Sequence, residues 1–173
     1  MPLALRGFNP PVKKPEGATR LHLGCGRTIL PGWCNVDQVQ LPGVDVVADL
    51  NACRTTPLPF PDDSVEAFFL SHVIEHIAPG APFFRFMKEA HRVLKPGAAL
   101  TVILPHPSHD IFLNDPTHLH AVMPGTFAMF SKKYSDLLAT QGMKLTPFWK
   151  YLGIDFDLGK VKYWFDKDVV PAI

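Results

Sequence analysis

Apolar residues along this chain gather in blocks the length of a strand, divided by glycine, proline and acidic turns. Residues 19–26 (TRLHLGCG) read as a strand closing on two glycines, and residues 33–37 (WCNVD) as a second strand ending in an acid. Residues 44–48 (VDVVA) predict a third that leads into Asp49-Leu50. Residues 65–70 (VEAFFL) are almost continuously apolar, the pattern of a parallel strand covered on both faces. Residues 98–104 (AALTVIL) have the β-branched content of a buried fifth strand. Between these last two, Phe84, Met87, Ala90, His91 and Leu94 recur at three and four residues. That spacing predicts an amphipathic helix over 81–94, with Phe83, Phe84 and Phe86 in the core and Lys95-Pro96-Gly97 as its stop. Residues 126–130 predict a short apolar turn or helix, and Ser131 caps a second helix running through Gln141 to Gly142. The β-rich runs 143–149 and 151–165 predict two final strands. Residues 27–32 are too few for the crossover helix that parallel strands usually need. Residues 1–18, with Pro2, Pro10, Pro11 and Pro15, predict an irregular arm.

Chemistry collects where these strands end. Gly24-Cys25-Gly26 can turn tightly and leave backbone N–H groups bare for a ligand. Asp37 ends the second strand, where a carboxylate accepts from two ribose hydroxyls. Arg27 lies just past the glycines, placed either to meet a carboxylate or to be solvated. Residues 105–124 hold His106, His109, His118 and His120, half of the chain's eight histidines, with Asp110 and Asp115.

The segments LHLGCG, GWCNVD, VVADL, LPFPDDSVEAFFLSHVIEHI and EAHRVLKPGAALTVILP, in that order, resemble the class I S-adenosylmethionine-dependent methyltransferases, in particular a small bacterial type met in glycan and natural-product pathways. The resemblance implies an α/β fold: a Rossmann-like, doubly wound, mostly parallel seven-stranded sheet of order 3-2-1-4-5-7-6, with a shortened first crossover, formed by residues 19–173. It implies S-adenosyl-L-methionine as cofactor, held by Leu23, Gly24, Cys25, Gly26 and Arg27, with Asp37 on the ribose. Asp49 would accept from the adenine amino group while Leu50 packs on the ring, although Asp49 also suits a turn cap. Ser71 and His72 would meet the methionine part, and Glu75-His76 matches the family's Glu-His pair, His76 packing or capping. The DPTH sequence at 115–118 resembles a segment of glycan-type members. Methyl transfer to a hydroxyl needs a base, and imidazole titrates near neutrality. His118 or His109 is the expected base, with Asp115 fixing the tautomer of His118. The same histidines also suit a plain surface loop, a divalent metal or substrate orientation, and the sequence assigns no residue to a metal.

Composition narrows the partners. A chain of 173 residues, 47% hydrophobic and 19% charged, suits one globular domain. A net charge of +1 without a basic run points away from nucleic acid and towards a small-molecule acceptor. Cys25, Cys34 and Cys53 form no CxxC pair and suit a reducing compartment. No leader or bilayer-spanning run is evident, so a cytoplasmic monomer or homodimer is expected. The expected activity is O-methylation of a sugar or related metabolite. The alternatives are a non-catalytic S-adenosylmethionine-binding module and a metal-dependent enzyme using the His/Asp loop.

Overall fold

A computed structural model of the chain describes residues 17–164, Arg54 excepted. They divide into two compact units that meet in sequence after Val122. The expected arm at 1–18 lies outside the described residues up to residue 16.

The first unit is built on a parallel sheet of β1 (Arg20–Leu23), β2 (Cys34–Asp37), β3 (Val46–Val47), β4 (Val65–Ser71) and β5 (Leu94–Ile103). Their order is β3-β2-β1-β4-β5, every neighbouring pair parallel. Leu21, Leu23, Val36, Val65, Phe68 and Leu70 are fully buried, as the apolar runs require. In β5 the Leu94-Lys95-Pro96-Gly97 turn joins the strand through an irregularity: Val65 pairs with Leu94, and Ala67 already with Ala99.

Helix α1 (Ala81–Val93) carries the chain from β4 to β5. It buries Phe83, Phe86, Met87, Ala90 and Val93. Of the residues expected on this face, Phe84 and His91 lie half-buried at its border. Glu89 joins the buried set. It is buried because its carboxylate accepts from the Leu58 N–H (2.7 Å) and from Arg92, whose guanidinium also donates to the Leu58 and Phe60 carbonyls. One ion pair thus binds the proline-rich turn before β4 to the helix.

Residues 24–33, between β1 and β2, contain turns and no helix. The Asn35 side chain holds this segment down. Its Oδ1 accepts from the Leu30 N–H (2.9 Å), and its Nδ2 donates to the carbonyls of Leu30 and Trp33 (both 3.2 Å). The same Oδ1 lies 3.3 Å from Nδ1 of the buried His22, which therefore donates to it, and burial pushes the pKa of His22 down. Arg20 stacks on the Trp33 ring at 5.0 Å from above.

The second unit contains α3 (Pro124–Ala128), α4 (Lys132–Thr140) and α5 (Phe148–Leu152), while α2 (Asp110–Asn114) belongs to the first. Ser131 caps α4 by accepting from the Tyr134 N–H, as its position predicts. The expected sixth and seventh strands are absent from the described residues. Instead α5 occupies 148–152, its N–H groups at Lys150 and Tyr151 turned back onto the Pro147 carbonyl, and Phe148 packs on the buried Phe130 ring at 5.5 Å. Aromatic β-propensity yields here to local packing, because it reflects fit to a neighbouring strand rather than a backbone preference.

Replacing Asn35 by Ala removes the acceptor of Leu30 and the partner of buried His22 together. A loss of about 2 kcal/mol is expected in urea unfolding, and an unchanged midpoint would show that residues 24–33 hold themselves in place.

Candidate functional site

The sheet order reverses between β1 and β4, and open parallel sheets bind ligands in the crevice beyond the strand ends at such a point. Two loops flank it. Gly24, at φ +66°, is where they touch: a Cβ on Gly24 would lie 2.4 Å from a methyl of Val73, in the loop after β4. Gly26, at φ +53°, faces open space, a Cβ there meeting nothing within 4 Å. The N–H groups expected to be bare are not. Cys25 donates to the Val36 carbonyl (3.0 Å) and Gly26 to Oδ2 of Asp37 (2.8 Å), because the loop folds back onto β2. The glycines therefore supply close approach and a left-handed turn rather than free donors.

Asp37 also accepts from the Val39 N–H through Oδ1 (3.0 Å). Each carboxylate oxygen has room for a second donor, so both remain able to receive a hydroxyl. Burial, then the charge of Asp37, pushes the Cys25 thiol up to about 11, which keeps it a neutral, unreactive group. The Leu23 side chain is in the core, leaving only its backbone at the crevice, and Arg27 is exposed. Asp49 caps the turn at Leu50–Ala52 by accepting from the Asn51 N–H (2.9 Å), and Leu50 is buried. Asn51, not foreseen from the sequence, ties this turn to the loop after β4 by donating to the His76 carbonyl and accepting from the Ala78 N–H. Its only signal was its place beside Asp49.

Ser71 is half-buried at the end of β4, and His72 takes φ +57°, its N–H donating to the Ile103 carbonyl at the end of β5. This strained corner joins the two strand ends that open onto the histidine loop. The loop returns to it through Leu119, whose N–H donates to the Glu75 carbonyl (2.8 Å).

Within the loop, hydrogen bonds fix the tautomers. Nδ1 of His109 accepts from the Ile111 N–H, capping α2, so a neutral His109 carries its proton on Nε2 and has no lone pair left for a base. Nδ1 of His118 lies 2.8 Å from the Phe112 carbonyl, which only accepts. His118 is therefore protonated on Nδ1 and keeps a lone pair on Nε2. Asp115 does not set this tautomer. Its Oδ1 accepts from both the N–H (2.8 Å) and hydroxyl (2.6 Å) of Thr117, and these bonds hold its carboxyl below the usual range. Oδ2 stands 3.8 Å from Nε2 of His118. His106 folds onto the Ser108 N–H, and burial depresses the pKa of His120, which packs edge-on against Phe83 at 5.4 Å.

Residues 21–102 match the family model described as "Methyltransferase domain". Over these residues, a little under half of the chain, the sequence is similar to a methyltransferase domain. Two solved structures are similar to the chain. One is a complex of the Haloferax volcanii Trm112 methyltransferase activator with a candidate methyltransferase (19% identity, 68% of this chain and 59% of that one, TM-score 0.46). The other is the YcgJ protein of Bacillus subtilis (19% identity, 77% and 74%, TM-score 0.45). The chain thus spans less than two thirds of the length of the first. No curated protein matches.

Residues in the matched segment fit an adenosyl cofactor. The open face at Gly26 leaves room for a ligand against the main chain, and Asp37 is pinned by two backbone donors with acceptor capacity to spare. Gly24→Ala adds a methyl into Val73 and a left-handed penalty of about 1–2 kcal/mol. The expected outcome is a lower melting temperature together with loss of S-adenosylhomocysteine-induced thermal shift. Normal behaviour in both would show that the two loops need not touch.

Proposed function

We propose that this chain transfers a methyl group from S-adenosylmethionine to the hydroxyl of a small acceptor, a sugar or a similar metabolite. The observation that carries the reading is the position of Asp37 and the two glycines at the β1/β4 reversal of a methyltransferase domain, where a nucleoside's ribose and a close main chain belong together. When bound, the cofactor supplies an electrophilic methyl on a sulfonium. Asp37 holds the ribose hydroxyls, Leu50 borders the adenine, and the backbone of Ser71 and His72 lines the methionine end.

The loop after β5 is assigned to the acceptor. It offers a titratable group at the ligand edge of the sheet, and His118 is chosen over His109 because it retains a lone pair on Nε2. Orientation of the acceptor oxygen towards the methyl carbon carries most of the catalysis, since alignment alone supplies several kcal/mol. No helix among the described residues is long and apolar enough to cross a membrane. The buried, unbridged thiols of Cys25 and Cys53 suit a reducing, cytoplasmic setting.

Isothermal titration with S-adenosylmethionine and S-adenosylhomocysteine tests the cofactor. One site is expected, weakened roughly tenfold or more by Asp37→Ala, and folded protein that gives neither heat nor thermal shift would remove the reading. In an acceptor screen with hydroxylated metabolites, His118→Ala lowers turnover by roughly a hundredfold, while His109→Ala has only a minor effect. The reverse ranking would reassign the loop.

A further inference from the structure

Glu75 stands out among the buried polar groups of the first unit. Its side chain is 1% exposed, yet neither carboxylate oxygen has a hydrogen-bond partner. A buried carboxylate without donors is costly unless a positive charge meets it. One ring nitrogen each from His76 and His118 and one oxygen of Glu75 lie within 4.8 Å of one another.

We propose that Glu75, His76 and His118 bind a first-row divalent cation of the zinc type, and that the DPTH segment is built to orient its ligands. Zinc holds nitrogen and oxygen donors at about 2.0–2.2 Å, so donors sharing one ion stand roughly 3–4 Å apart. Nε2 of His118 is already 3.9 Å from Oε1 of Glu75.

The second line of support is independent of distance. A metal-binding histidine gives its other ring N–H to a carbonyl or similar acceptor, which leaves the ligating nitrogen unprotonated and the ring fixed. Both imidazoles do this. His118 donates from Nδ1 to the Phe112 carbonyl. Nδ1 of His76 faces the Thr117 carbonyl (3.2 Å) and hydroxyl (3.0 Å), and that hydroxyl gives its own proton to Asp115, so it accepts from His76. Asp115, Thr117 and His118 thereby serve one centre, with the His76 and His118 rings 4.7 Å apart. Two imidazoles with one carboxylate suit zinc or a neighbouring first-row ion better than magnesium or calcium. Three protein donors leave positions open to an oxygen of the acceptor; with the cation bound, Nε2 of His118 is a ligand rather than a base and the cation takes over activation of the acceptor hydroxyl, so the site deepens the methyl-transfer reading and rests on it for its role, though not for its existence.

The competing arrangement is charge balance without an ion. Among the described residues, the ion-pair partners of Glu75 are imidazoles: Nδ1 of His72 at 3.4 Å and Nε2 of His118 at 3.9 Å, with the charge of Glu75 also felt at His120. Protonated histidines would then neutralise it.

Cobalt(II) titration of untagged, chelator-stripped protein separates the two. Saturation at one equivalent with visible d–d absorption, reversed by added zinc, is expected. Glu75→Gln and His118→Ala should each weaken binding at least a hundredfold while circular dichroism and the S-adenosylhomocysteine thermal shift persist. Thr117→Val, at an exposed position, should weaken it roughly tenfold through the orientation of His76, and it serves if Glu75→Gln does not fold. Absence of saturable cobalt or zinc binding, or binding undiminished in these variants, overturns the site. Cation binding without any S-adenosylhomocysteine binding would uphold the site and remove the methyl-transfer reading, and the opposite result would remove the site alone.

Discussion

The contact between Gly24 and Val73 sets the geometry of the candidate site. Parallel strands β1 and β4 are neighbours, and the loops leaving them share one edge of the sheet. With any side chain at residue 24 the two loops could not approach as they do, since its Cβ would fall 2.4 Å from a Val73 methyl. Ile74, Glu75 and His76 follow Val73 directly in a 3-10 turn. The glycine of the crevice beyond β1 and the buried carboxylate of the histidine cluster are thus two sides of one packed junction.

Side-chain hydrogen bonds hold the connections of this sheet where no helix does. Among the described residues, the only α-helix between neighbouring strands of the sheet is α1, yet β1 and β2 pair in register, Leu21 with Cys34 and Leu23 with Val36. Asn35 anchors the helix-free crossover, Asp37 closes the glycine loop onto β2, Asn51 joins the turn after β3 to the loop after β4, and Glu89 with Arg92 clamps the turn before β4. Asn35, Asp37, Glu89 and Arg92 are buried or half-buried, and Asn51 is exposed; their bonds replace those they would make to water, so each fixes a loop at little net cost.

Against this background the unpartnered carboxylate of Glu75 is informative. The same chain satisfies Asn35 and Glu89 fully, so its sequence is able to place donors where they are needed. Around Glu75 it places imidazole nitrogens instead, with the protons of His76 and His118 directed elsewhere. A carboxylate that forms no hydrogen bond, with two imidazole lone pairs nearby, is poorly placed as an anion alone and well placed beside a cation.

The five strands, the helix over 81–93 and the Ser131 cap were legible in the sequence, because each rests on short-range pattern: apolar runs, three-and-four spacing and a capping hydroxyl; the order of the strands came with the resemblance that the ordered segments carry. Long-range polar partners were not. Glu89, not among the residues expected on the apolar face, is held in the core by its bonds to Arg92 and the Leu58 N–H. Glycine spacing promised free N–H groups at Cys25 and Gly26, and only the return of the loop onto β2 shows them engaged. Aromatic runs at 143–165 promised strands, and packing on Phe130 made a helix at 148–152. The sequence likewise named the histidines without their tautomers, because a ring nitrogen's role depends on which carbonyl or N–H the fold brings to the other nitrogen. Local chemistry chose the residues near the site. Which of them carry a lone pair, and which stand beside Glu75, depended on contacts between segments some forty residues apart, such as His76 with Thr117.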